Sequence, residues 1–365
     1  MELINATKMQ AGYTMGLRPD GRELLVVVVK GTFSIPERPD QSPRLAGEQL
    51  PLIDADTFSG DPGFSAPIYE SDYPPFKPRC DVLLHGSAYA PGGTTATRVT
   101  VSLRVGDLKK SLVVVGDRKW QSSLVGAYPT EPAPFTVLPF SYDVAFGGAD
   151  RSHEDKSKHR FILTNPAGVG FHVNTSKEAI HDKPLPRTEQ IGRSISDPRG
   201  NYQPIAFGPI GRGWEPRAKL AGTYDQQWLD NVFPFLPQDF QDDYYQSAPA
   251  DQQISYPQGG EEDELVNLTP AGKTLFRLPR ATVPIEFFRR EGDRQTISPP
   301  IDTIIIEPDH NRFVLLWRAT IPLRKNMFEV PLGVVGRMPH GWYRARELGK
   351  TYYRNLAELV AAQSV

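Results

Sequence analysis

Three groups of residues have the types and spacing to do chemistry. Asp150, His153, Glu154, Asp155 and His159 fall within ten residues, with Lys156 and Lys158 between them. Such a set can bind a divalent metal. The same run holds no apolar residue, which also describes a solvated loop. Asp225, Asp230, Asp239, Asp242 and Asp243 stand among Trp228, Phe235 and Tyr244. A pair of carboxylates, one protonated and one ionised, hydrolyses glycosidic bonds, and neighbouring rings suit a sugar face. With 43 acidic residues in 365, chance also produces such neighbourhoods. Arg289, Arg290, Arg294, Arg337, Arg344, Arg346 and Lys350 make the last quarter locally basic. They form either a patch for an acidic partner or a basic edge that discourages strand aggregation.

Other chemistries lack their marks. The sequence has no G-x-x-x-x-G-K-[ST] phosphate loop, and no G-x-G-x-x-G follows a strand pattern. H-E-x-x-H and the G-x-S-x-G elbow are missing too. Gly168-Val169-Gly170 reads as a turn. The acidic run Glu261-Glu262-Asp263-Glu264 lacks the alternating spacing of a calcium loop and reads as a solvent-facing turn. No metal or cofactor is expected. Cys80 is the single cysteine, which excludes an internal disulfide and every cysteine-rich zinc site.

The composition narrows the partners. Lys and Arg number 41 against 43 Asp and Glu, a net charge of -2, so there is no electrostatic footprint for nucleic acid or anionic membrane. The longest aliphatic run, Leu24 to Val29, is far short of the roughly 20 residues a membrane helix needs. Residues 1–20 carry no secretory pattern. A cytoplasmic protein is expected. Proline and glycine together reach about 18% against an average near 12%. The prolines are spread along the chain, so they mark many short elements joined by turns and not a linker.

The elements that would position these residues are mainly strands. Leu24 to Phe33 is a continuous apolar run, the pattern of a strand buried on both faces. Cys80 to Tyr89 is a second strand candidate. Val99, Val101, Leu103 and Val105 alternate with polar residues, Gly106-Asp107 follows, and Leu108 to Val115 continues: a two-residue hairpin. Leu275–Leu278, Val283–Phe288, Asp302–Glu307 and Arg312–Ile321 are further strands, the last two forming a hairpin through Pro308 to Asn311. Residues 126–257 hold no period for long, yet their aromatic residues predict order through packed loops. From Arg344, apolar residues recur at three- and four-residue steps, which predicts an amphipathic helix. The expected fold is mainly β: an antiparallel two-sheet sandwich or distorted barrel over residues 1–343, with long Pro/Gly/aromatic-rich loops, and a C-terminal helix over 344–365.

The ordered marks along the chain carry a resemblance. They include Lys30-Gly31-Thr32-Phe33, Asp72 with Lys77-Pro78, Asp81-Val82-Leu83, Gly116-Asp117-Arg118 with Trp120, Phe146-Gly147-Gly148 and Asn165-Pro166. Later come Trp214 with Arg217, Ala221-Gly222-Thr223-Tyr224-Asp225 with Trp228, Leu236-Pro237 with Asp239-Phe240, and Ala248-Pro249. Over residues 5–320 the chain resembles the domain of unknown function 2169 family, found with bacterial type VI secretion systems. The resemblance implies an adaptor or chaperone. Such a protein binds a toxic effector, often through the effector's N-terminal region, and helps load it onto the secretion spike. It implies no catalytic residue. The alternatives are a carbohydrate-active hydrolase using the 225–243 carboxylates and a structural part of the secretion apparatus.

Under the adaptor reading, Trp214, Arg217, Tyr224, Trp228, Phe235 and Tyr244 are the candidate partner-binding anchors, since Trp, Tyr and Arg supply most interface energy. The effector and spike-tip proteins are the expected partners. Asp81, Asp117, Arg118 and Trp120 are expected to be structural, with Arg118 paired to an acid near Asp117 or to Asp81.

Overall fold

The computed structural model describes residues 1–123 and 126–363. Thirteen strands carry the architecture. They are β1 (Glu2–Asn5), β2 (Gln10–Leu17), β3 (Glu23–Ser34), β4 (Cys80–Leu84), β5 (Arg98–Val105), β6 (Leu108–Val115), β7 (Glu262–Val266) and β8 (Lys273–Arg277). After them come β9 (Ile285–Phe288), β10 (Arg294–Ile297), β11 (Ile301–Glu307), β12 (Arg312–Pro322) and β13 (Leu332–Val335). Strand exceeds helix, 35% to 14%, and no sheet closes into a barrel, so the fold is mainly β and open.

Three sheets form. The largest runs 253–254, β4, β11, β12, β3, β2, with residues 44–45 added beside β3. A five-stranded sheet runs 188–189, β6, β5, β7, β8, and a four-stranded one β1, β13, β9, β10. Within these three sheets all pairs are antiparallel except β4 with β11 and β1 with β13. Alternation explains the main core. Leu25, Val27 and Val29 of β3, Val99 to Val105 of β5, Ile285 and Phe287 of β9, and Phe313 to Ala319 of β12 fill one cluster shared by the three sheets. The other face of β3, Leu24, Val26 and Val28, is covered by Leu50, Leu52, Tyr69 and Tyr73. That double cover is why Leu24 to Val29 reads as unbroken apolar sequence. Both expected hairpins form: β5 turns into β6 at Gly106-Asp107, and β11 into β12 through Pro308 to Asn311.

The irregular middle is ordered around two small cores of its own. Tyr142, Ala145, Ile210 and Trp214 make one, and Trp120, Phe146, Ile180, Leu185 and Ile195 the other. Buried Asn165 ties the first turns together by donating to the carbonyls of Tyr142 and Phe146 at 2.8 and 3.0 Å.

Three expectations need correction. Arg118 is buried, but its partner is Glu189, at 2.7 Å, with the Pro186 and Ile195 carbonyls accepting as well. Asp117 instead meets Arg187, and Asp81 meets Lys77. The sequence distance, 71 residues, hid Glu189. The C-terminal stretch is two eight-residue helices, His340–Glu347 and Leu356–Gln363. They are separated where Gly349 turns left-handed at φ 62° and ends the first helix. The first packs on the four-stranded sheet through stacked cations: Arg346 lies over Phe288 at 4.8 Å and Arg294 over Tyr343 at 4.7 Å. Lastly, residues 261–264 do not form a solvent-facing turn. Three of them lie in β7, and Asp263 points into the core beside Leu265, fully buried.

Neither carboxyl oxygen of Asp263 has a hydrogen-bond partner among the described residues. Burial, then the neighbouring Glu261 carboxylate, push its acid well above the ordinary range, with Arg104 pulling weakly the other way. The folded state thus holds the proton more tightly than the unfolded state. The stabilisation is complete below the ordinary carboxylate value, about 4, and is lost as pH rises through the folded value. Asp263→Asn, neutral at every pH, is therefore expected to gain melting temperature over the parent between pH 4 and pH 8. The gain should shrink towards pH 4. A difference that does not change with pH would contradict it.

Candidate functional site

The six candidate anchors divide into supports and surface. Arg217 lies in the short 3-10 turn Arg217–Ala221 and is only 2% exposed. It forms a two-toothed ion pair with Glu70, one arm at 3.1 Å. It also donates to the Ile210 carbonyl at 2.6 Å and twice to the Tyr244 carbonyl at 3.2 and 2.9 Å. Trp214 is 6% exposed and stands edge-on to Tyr142 at 5.8 Å. These two are therefore not contact residues, because neither offers surface to a partner. Tyr224, Trp228, Phe235 and Tyr244 do reach the surface.

A second arginine reinforces the support. Arg212 grips Asp56 at 2.7 and 3.1 Å and lies 3.4 Å from Glu70. Burial would raise the Asp56 acid, but the Arg212 hydrogen bond, the Ser71 backbone N–H and the Arg212 charge outweigh it and hold the carboxyl low. Burial would likewise lower Arg212, and its hydrogen bond to Asp56 with the charges of Glu70 and Asp56 keeps it raised. The guanidinium plane of Arg217 also faces the Tyr244 ring at 5.6 Å.

Above this base the chain builds an aromatic surface. Gly222 sits at φ 85°, and a Cβ there would come 2.7 Å from Pro237 and 2.9 Å from Asp239. Asp239 accepts from the Thr223 backbone N–H at 3.0 Å and its hydroxyl at 2.8 Å, which hold its carboxyl low. Asp225 caps the helix Gln226–Asn231 by accepting from the Trp228 N–H at 2.8 Å. The Trp228 indole N–H donates to the Phe235 carbonyl at 2.9 Å and closes the loop. On this frame Trp228 meets Tyr224 at 4.8 Å and Phe233 at 5.6 Å, both edge-on. Tyr224 is 54% exposed, Leu229 52%, Phe233 62% and Phe235 42%, an apolar surface open to solvent. Phe235 also lies across Gly21, in the turn between β2 and β3. Phe240 meets Tyr244 edge-on at 5.6 Å and Tyr245 at a tilt at 5.3 Å.

The downstream end is fixed by the fully buried Asp81 of β4. Its carboxylate accepts from Lys77 at 2.6 Å, Gln246 at 2.6 Å, and the Ser247 backbone N–H and hydroxyl at 2.7 and 3.0 Å. Lys77 also donates to Thr303 at 3.0 Å. Nearby, Lys30 pairs with Asp72 at 2.8 Å, both buried. The marks at Lys30, Asp72, Lys77, Asp81, Trp214, Arg217, Gly222 and Asp239 are thus the frame of this surface. The sequence reading missed Glu70, Arg212, Asp56, Leu229 and Phe233. The three charged residues carry no local signal, since their charged partners are at least 142 residues away. Leu229 and Phe233 stand beside rings already singled out, so the aromatic run itself pointed to them.

The other candidate chemistries resolve into local contacts. Asp225 and Asp239 are spent on capping, and Asp230 accepts from Gln226. Asp150 accepts from Ser152 and the backbone of Val173, and Asp155 caps the turn Lys156–Lys158. Among the described residues no three His, Cys, Asp or Glu gather around a point that could hold a metal. In the basic stretch, Arg289 pairs with Glu329, Arg290 donates to the Phe328 carbonyl and Arg294 pairs with Glu286. No helix among the described residues is long and apolar enough to cross a membrane.

A family model described as "Uncharacterized protein conserved in bacteria (DUF2169)" matches residues 20–318, and the chain belongs to that family. No curated protein and no solved structure matches it.

The division into supports and surface has a measurable consequence. Removing Arg217 takes the two-toothed partner from Glu70, leaving it Arg212 at 3.4 Å, and strips a donor from the Ile210 and Tyr244 carbonyls, so Arg217→Ala is expected to cost about 3 kcal/mol in denaturant unfolding. Tyr224→Ala and Phe233→Ala, on the exposed side, should stay within about 1 kcal/mol. Equal losses at all three would mean that the aromatic segment is core.

Proposed function

We propose that this member of a bacterial family is a cytoplasmic adaptor or chaperone for a type VI secretion effector. It holds the effector, through the effector's N-terminal region, until the effector is loaded on the secretion spike. The observation that carries this reading is the surface of Tyr224, Trp228, Leu229, Phe233 and Phe235. Tyr224, Leu229, Phe233 and Phe235 stay exposed around half-buried Trp228 while caps, a buried arginine and Asp81 hold the loop in place. Exposed apolar clusters of this kind mark interaction sites on soluble proteins. A pre-ordered aromatic surface also binds with little entropy lost on ordering. The resemblance of the ordered marks supplies the partner class. Against the hydrolase alternative, Asp225, Asp230 and Asp239 are each occupied by local contacts.

The test is co-expression with a toxin encoded beside this gene. The toxin is expected to be soluble and secreted with this protein and to aggregate or degrade without it. Phe233→Ala and Trp228→Ala should each weaken binding about thirtyfold, near 2 kcal/mol, while the melting temperature of Phe233→Ala stays near the parent's. A toxin equally soluble and secreted without this protein would overturn the reading.

A further inference from the structure

The edges of the sheets are not alike. β10 is four residues long and starts with Arg294, β8 carries Lys273 and Arg277, and the edges at 188–189 and 253–254 are two residues each. Short length and charge are the ordinary protections of an edge. β2 is the exception. It spans eight residues, Gln-Ala-Gly-Tyr-Thr-Met-Gly-Leu, with no charge and no proline, and pairs with β3 without a bulge.

The hydrogen-bond parity of β2 follows from its neighbours. Arg18 donates to the Arg22 carbonyl across the turn, while the Glu23 carbonyl is taken on the far side by Leu323. Gln49 bonds both backbone groups of Thr32 on the β2 side. The even residues of β3 therefore face β2, and Gln10, Gly12, Thr14 and Gly16 make the ladder. Ala11, Tyr13, Met15 and Leu17 turn their N–H and C=O groups outward. Among the described residues these groups have no backbone partner, and the Met15 carbonyl has only a 3.5 Å contact from Thr14.

We infer that β2 is a strand-addition site that takes an extended segment of the effector proposed above, and the inference rests on that reading. A row of four outward donors and four acceptors is recognised by another strand. The row leads into the aromatic surface: β2 ends in the turn under Phe235, and a cleft of about 180 Å³ joins Leu17 and Arg18 to Phe76 and Asp242. Charge selects the occupant. Lys8 lies at one end of β2 and Arg18 and Arg22 at the other, all exposed and none in an ion pair within the described residues, with exposed Asp20 and Glu23 balancing the two arginines in the same turn. A second copy paired antiparallel about the middle of β2 would set Lys8 of each copy near Arg18 of the other, at both ends. Like charges so placed disfavour pairing. The fitting segment is uncharged along its length and carries an acidic residue at the end that meets Lys8.

The experiment is amide hydrogen exchange on the full chain, alone and with the purified N-terminal region of the toxin encoded beside the gene. The amides of Ala11, Tyr13, Met15 and Leu17 should exchange readily in the free protein and at least tenfold more slowly in the complex. Those of Gly12 and Thr14 should be protected in both. In parallel, Met15→Pro removes one outward donor without touching the β3 ladder. It should weaken binding about tenfold, and Met15→Ala should not. Binding with no change at the four amides overturns strand addition while leaving the adaptor reading in place. Concentration-dependent protection without toxin assigns the edge to a second copy and also overturns it. No binding at all defeats the adaptor reading, and this inference with it.

Discussion

The structure depends on two buried carboxylates that hold the irregular chain, Asp81 on the central sheet and Glu70 beside the separate pair of strands 57–58 and 67–69. Asp81, on β4, holds Gln246 and Ser247, and Glu70 holds Arg217, which in turn holds the carbonyls of Ile210 and Tyr244. A charge taken out of water is costly unless its partners are close and complete. Each of these carboxylates has several donors, so the arrangement tolerates little displacement. Residues 217 to 247 run between these two fixed points. The loop between them keeps one shape although it contains little regular structure.

That rigidity accounts for the exposed rings. An unsupported loop would fold Phe233 and Trp228 inward or lose order. Here the Asp225 cap, the Thr223–Asp239 bonds and the Trp228–Phe235 bond occupy the polar groups of the loop. The apolar faces are left pointing out. Stability is thus stored beneath the surface, and under the proposed function recognition falls to residues that contribute little to it. The open edge of β2 adjoins the same surface through the turn under Phe235. A bound chain could meet both backbone and aromatic contacts in one path.

Much of the sheet framework was legible in the sequence, because local pattern decides it. Period two in Val99 to Val105 with Gly106-Asp107 produced the hairpin, and the unbroken Leu24 to Val29 produced a strand covered on both faces. What was hidden depends on distance along the chain. Glu189 for Arg118 and Glu70 for Arg217 are 71 and 147 residues from their partners, beyond any local rule. Asp263 was hidden differently. Its neighbours Glu261, Glu262 and Glu264 mark a solvated run, yet strand alternation puts it on the core side with Leu265. Trp214 and Arg217 look like interface residues by type, and only burial separates them from Tyr224 and Phe235. Gly349 outweighed the helical period around it and split the C-terminal stretch.

The most direct measurement of the central claim is site-specific photo-cross-linking in cells that also express the neighbouring toxin. A photoreactive residue at Phe233 reports on the aromatic surface. The same residue at Ile191, 60% exposed in the Arg118–Glu189 corner, reports on ordinary surface. The account predicts a cross-link to the toxin from position 233 and none from 191. A cross-link from 191 with none from 233 would contradict it.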